Sequence, residues 1–199
     1  MATARDARGD AGRHDGMPEE VSEGVWRIEL PLPFALRWVN VYVLRDDKGG
    51  WTLVDAGLGL KEDREALRDG LAAIGVEPRD LSAIILTHAH PDHIGQSGAL
   101  VREANAPVHM LPREADNMHR VWGLMDEEEG LFAALKASYV ANGMPEAGLE
   151  HYEATNQGMR RVLRLPHREG ISALRTTGKL RLGTQSWQVI WTPGHSDYH

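Results

Sequence analysis

Within the stretch Thr87-His88-Ala89-His90-Pro91-Asp92-His93-Ile94-Gly95, three imidazoles and a carboxylate fall within six residues, immediately after the apolar run Ala83-Ile84-Ile85-Leu86. Neutral imidazole and carboxylate are the ligands that borderline divalent ions such as zinc prefer. In an extended segment alternate side chains share a face, so His88 and His90 point the same way and can grip one ion. Pro91 disfavours helical geometry at His90 and keeps that residue extended. Asp92 and His93 follow at a helix entry, where the change of direction can aim them at a second ion beside the first. The run Leu81 to Leu86 reads as a strand buried on both faces of an α/β sheet, and the carboxyl ends of such strands are where chemistry is expected.

The rest of the chain reads as support for that stretch. Val25–Leu30, Trp38–Leu44 and Trp51–Val54 are alternating or rich in β-branched and aromatic residues, and they predict an antiparallel meander with a turn at Asp46-Asp47-Lys48-Gly49-Gly50. Asp55 ends the third of these strands before Ala56-Gly57-Leu58-Gly59. By residue type alone it reads as a turn or helix-cap residue. Residues 61–74 predict an amphipathic helix with Leu60, Leu67, Leu71 and Ile74 on one face, stopped by Gly75 and Pro78. A helix over 97–103 and a short strand over 107–110 come next. Residues 112 to about 170 break the alternation and predict two or three helices, read as a helical cap-like insertion beside the metal stretch. The acidic run Asp126-Glu127-Glu128-Glu129 suits a helix start there. Strands return at 179–182 and 187–191, followed by Thr192-Pro193-Gly194-His195-Ser196. His14, His109, His119, His151 and His167 carry no paired spacing and read as surface or packing residues.

The 199 residues suit one domain, with a polar, disordered tail over 1–20 and the folded part over 21–199. There is no apolar run of membrane-spanning length, and a net charge of −7 argues against broad nucleic-acid binding. Cysteine is absent, which leaves histidine and carboxylate to carry any metal. No apolar segment follows the start, so the expected location is the cytoplasm, with a small-molecule substrate as partner.

His88, His90, Asp92 and His93 fill every position of the HxHxDH pattern, and the sequence resembles the metallo-β-lactamase superfamily. Thr192-Pro193-Gly194-His195-Ser196 is similar to that family's second metal motif, and Asp55-Ala56-Gly57 to its Asp-x-Gly. The resemblance implies an αββα sandwich, of which Val25 to His199 covers the first half and the opening of the second. It implies that His88, His90 and His195 bind one ion, that Asp92 and His93 bind another, and that Asp55 orients a ligand from behind. Asp197-Tyr198-His199 replaces the family's usual continuation, so His199 is read as supporting the ligands at most. A bridging Asp and a last His for the second ion are not found among these residues, which reads as a fragment of a longer product.

The function so implied is hydrolysis by zinc-activated hydroxide on an ester, thioester, lactam or phosphodiester, with two zinc ions in the complete protein and Asp92 both a ligand and an orienter of the nucleophile. Alternatives are a mononuclear iron enzyme of the persulfide-dioxygenase type and a non-catalytic fragment that binds a partner.

Overall fold

The computed structural model describes residues 16–46, 49–123, 129–177, 179–182 and 185–199, with the backbone alone for residues 123 and 129–134. His14, the Asp47 and Lys48 positions of the expected turn, the acidic run before Glu129 and residues 183–184 between the last two expected strands lie outside the described residues.

A seven-stranded sheet organises the chain in simple sequence order, β1 to β7. Strands β1 (Glu19–Ser22), β2 (Val25–Pro31), β3 (Trp38–Arg45) and β4 (Trp51–Val54) pair antiparallel, as the meander predicts. From β4 onward the pairing is parallel, through β5 (Leu81–Ile85), β6 (Val108–Met110) and β7 (Ile171–Ala173). Parallel neighbours need crossovers. Helix α1 (Lys61–Ala73) joins β4 to β5, and the short α2 (Pro91–Ile94) and α3 (Ser97–Ala104) join β5 to β6. The third crossover holds α4 (Pro112–Met118), a π-helical turn His119–Gly123, α5 (Glu129–Ala141) and α6 (Glu146–Val162).

Period-two alternation sorts the sheet's two faces. Ile28 and Leu30 on β2, Val41 and Val43 on β3, Leu53 and Ile84 are fully buried together with Leu67 and Leu71 of α1, and they form the core on the helix side. Tyr42, Leu44, Val54 and Ile85 line the other face, under an antiparallel hairpin of β8 (Lys179–Leu182) and β9 (Gln185–Gln188). Leu180, Leu182 and Trp187 of that hairpin close an apolar cavity of about 500 Å³. Ile190 and Trp191 nearby stay 65% and 51% exposed.

Three features differ from the sequence reading. Of the tail expected over 1–20, the described part joins the fold: Gly16 lies against Ala66 of α1, and Glu19 and Glu20 open β1. All four β1 residues are exposed, so backbone pairing and the Arg27–Glu19 ion pair at 2.5 Å place this strand rather than apolar burial. The chain returns to the sheet at β7, before 179. The strand expected at 187–191 is Gln185–Gln188 instead, and Trp191 leaves it because its indole N–H donates to the Asp197 carbonyl at 2.9 Å and its ring stacks on Tyr198.

Candidate metal centre

The site lies where β4, β5 and β6 end, at the carboxyl edge of the parallel half of the sheet. Beyond β5 the backbone stays extended to His90 (φ −75°, ψ 145°), and Pro91 opens α2, so the proline divides the two pairs of candidate ligands as its chemistry requires. Glycine permits the close packing underneath. A Cβ at Gly95 would stand 1.9 Å from the Leu58 carbonyl oxygen, and the Gly95 N–H donates to the Gly57 carbonyl at 2.8 Å. The loop after β4 is thereby seated directly on α2.

One ligand atom each from His88, His90 and His195 lie within 4.8 Å of one another, a grouping that joins residues more than a hundred positions apart. His88 is 2% exposed, His90 half-buried and His195 exposed. The His199 ring also approaches, with its centroid 4.7 Å from that of His88 and 6.1 Å from that of His195, but it stands outside the group of three. The Asp92 carboxylate lies 3.6 Å from His93 Nε2. His109 is in β6, His119 begins the π-helical turn, His151 is in α6 and His167 precedes a 3₁₀ turn, all outside the cluster.

Asp55 adopts a left-handed conformation (φ 62°), rare for a residue with a side chain, and the strain aims its carboxylate at the signature. Its Oδ1 accepts the Thr87 N–H at 2.8 Å, both oxygens contact Thr87 Oγ1 at 3.1 and 2.9 Å, and Oδ2 pairs with His93 Nδ1 at 2.8 Å. A carboxylate only accepts, which sets the protons. The single Thr87 hydroxyl proton goes to Asp55, so Thr87 Oγ1 accepts from His88 Nδ1–H at 2.9 Å. His93 Nδ1–H likewise donates to Asp55. In both rings the Nε2 lone pair is then the one left for a metal.

His88 Nε2 is buried without a hydrogen-bond partner, and with the ring proton on Nδ1 its lone pair is free to ligate an ion. Three neutral imidazoles match a tetrahedral zinc-type donor set with one position over for water, so the residues fit such an ion. The electrostatics agree. Burial, then the neighbouring imidazoles of His93, His90, His199 and His195, push His88 down to about 2. Burial followed by His195 also lowers His90, against the opposing pull of Asp92. Both rings are therefore kept in the neutral form that ligates. For His93, burial pulls the value down, but the hydrogen bond and charge of Asp55 together with Asp92 outweigh it and leave it raised.

Sequence reasoning missed two residues of the site. Glu114, on α4 after β6, is fully buried and accepts the Ala89 N–H at 2.7 Å, and Trp122 Nε1–H donates to the Ala89 carbonyl at 2.9 Å. The peptide between His88 and His90 is thus held from both sides. Neither belongs to a motif, and the position of Glu114 just beyond the carboxyl end of a parallel strand was the available signal.

A parallel sheet ending in a cluster of imidazoles, with a carboxylate behind them, defines a metal-binding α/β protein. Residues 37–199 match the metallo-beta-lactamase superfamily, and the chain belongs to that superfamily. It is 28% identical over 179 residues to the probable metallo-hydrolase YqjP of Bacillus subtilis, covering 89% of this chain and 52% of that one. Among solved structures it is similar to the metallo-beta-lactamase family protein TTHA1429 of Thermus thermophilus, with a TM-score of 0.78 and 32% identity over 89% of this chain and 55% of that one. A beta-lactamase domain protein of Burkholderia ambifaria shares the fold, with a TM-score of 0.73 and 23% identity over 97% of this chain and 54% of that one. The chain spans about half the length of these relatives. Superfamily membership implies divalent metal binding. Among the described residues no helix is long and apolar enough to cross a membrane.

Proposed function

We propose that this chain carries the primary metal centre of a hydrolase acting on a small ester, thioester, lactam or phosphodiester. His88, His90 and His195 would hold the first ion, and Asp92 with His93 would contribute to a second. The observation that carries the reading is the convergence of three imidazoles from two distant loops on a buried, unpartnered His88 Nε2. Zinc bound there would lower the pKa of water from ~15.7 toward ~7 and polarise the carbonyl or phosphoryl oxygen under attack.

The remaining tasks belong to the protein. Asp55, through Thr87, keeps the His88 proton on Nδ1, and it directly keeps that of His93 there as well. Asp92, part-exposed beside His93, would accept a hydrogen bond from the attacking water and orient it. Helices α5 and α6, in the crossover next to the site, serve as the cap that shapes substrate access. The test is metal analysis, O₂ consumption and a panel of the four substrate classes on the longest available open reading frame. Zinc with hydrolysis supports the proposal, whereas iron with O₂ consumption would replace it with an oxygenase.

A further inference from the structure

We infer that Glu114 is a positioning residue that locks the two ligand-bearing loops into one register. This rests on the metal reading above and adds to it the element that brings His195 to His88 and His90. The Glu114 carboxylate spans both loops with separate oxygens. Oε2 accepts the Ala89 N–H at 2.7 Å, between His88 and His90. Oε1 accepts the Ser196 hydroxyl at 2.5 Å and the Tyr198 N–H at 3.2 Å, on either side of Asp197 and next to His195. Its partners lie 25, 82 and 84 positions away along the chain.

The second loop has little else to hold it at this end. His195 is exposed, and the other ties of the loop run mainly within itself, from Thr192 N–H to the His199 carbonyl at 2.7 Å and from Trp191 to Asp197. Arg113, the neighbour of Glu114 on α4, adds a contact by donating to the Tyr198 hydroxyl at 2.5 Å with its guanidinium 4.9 Å from the ring centre. Helix α4 is therefore the bracket, and Glu114 is its buried hook.

The chemistry of the hook makes the claim sharp. All three partners donate, so two acceptor oxygens are required. Glutamine has the same shape with one oxygen only. In Glu114→Gln the amide oxygen can stay on the Ala89 N–H while the NH₂ group turns to the second loop, where the Ser196 hydroxyl rotates to accept from it but the Tyr198 N–H is left facing a donor and loses its hydrogen bond.

The experiment titrates the metal-free full chain with Co²⁺, followed by its visible absorption, for wild type, Glu114→Gln and Ser196→Ala. Amide hydrogen exchange is measured on the same samples before metal is added. Affinity should fall about 10- to 100-fold in Glu114→Gln, as for other residues that hold ligands in place, and by less in Ser196→Ala. The Tyr198 amide should exchange faster in Glu114→Gln while those of β2 and β3 keep their rates. Wild-type affinity in Glu114→Gln, or a uniform acceleration across the sheet, would overturn the inference. Should Glu114→Gln fail to fold, Ser196→Ala decides, and an unchanged Co²⁺ affinity there counts against it. A wild-type chain that takes up no Co²⁺ refutes the metal reading separately, and the exchange of the Tyr198 amide then decides the clamp alone.

Discussion

His88 sits almost wholly buried three residues beyond a central strand, while His195 stands exposed in a loop beyond the last hairpin, yet both rings contribute to one cluster. The first loop is over-determined. Asp55 holds Thr87 and His93, Glu114 and Trp122 hold the Ala89 peptide, Ala56 N–H donates to the His93 carbonyl at 2.7 Å, and Gly95 packs on Leu58. The second loop depends on α4. One wing of the centre is thus built into the sheet and the other is docked onto it. Rigidity placed this way keeps the most buried ligand in position before metal arrives and leaves an open side for entry.

The largest loss is expected at the built-in wing. Replacing both His88 and His90 by alanine should remove the first ion and essentially all turnover of the longest available protein, whereas His195→Ala should leave weak binding by the two remaining imidazoles. Elemental analysis after gel filtration checks both. Full occupancy in the double variant would end the assignment.

Asp55→Ala comes next, because it frees Thr87 and His93 together. A loss of about 10- to 100-fold in catalytic efficiency or metal affinity is expected, larger than the loss in stability. An unchanged efficiency would return Asp55 to a plain turn residue. Trp122→Phe removes only the hydrogen bond to the Ala89 carbonyl and keeps the aromatic bulk. With Glu114 still holding the same peptide, Co²⁺ affinity should fall only a few-fold, in line with a net loss of about 1 kcal/mol for one hydrogen bond.

The smallest effect is a pH dependence of the metal-free chain. His88 and His90 are depressed in the folded state, so below the unfolded value of about 6.5 the unfolded chain binds more protons and stability falls as pH drops. His109, lowered by burial in β6, acts in the same direction. His93 is raised, and its contribution runs the other way: it is complete below that unfolded value and is lost as pH rises through its folded one. The urea midpoint should therefore fall between about pH 7 and about pH 5, and His88→Gln should flatten the slope. A midpoint independent of pH in the parent chain would contradict the burial argument.

Much of the built-in wing was legible in the residues, because its ligands are contiguous and Pro91 dictates the backbone between them. The meander, α1, α3 and β5 follow from local periodicity within a residue or two. What escaped depends on contacts made across the chain. Glu114 is one of 29 acidic residues, and its place just after a strand does not tell that its partners lie 25 and 82 positions away. Trp122 is equally silent, since its role is set by a carbonyl 33 positions earlier. Strand β7 is Ile171-Ser172-Ala173, too short to show a period, and β1 has no buried residue at all. Trp191 carries strong strand propensity, but its indole N–H and ring found better partners in Asp197 and Tyr198.

X-ray absorption on the zinc-loaded chain shows whether one ion is shared by both wings. Imidazole nitrogens from three histidines are expected at about 2.0–2.1 Å, reduced to two in His195→Ala. A shell of oxygen ligands alone, or a three-imidazole signature that survives in His88→Ala, would contradict it.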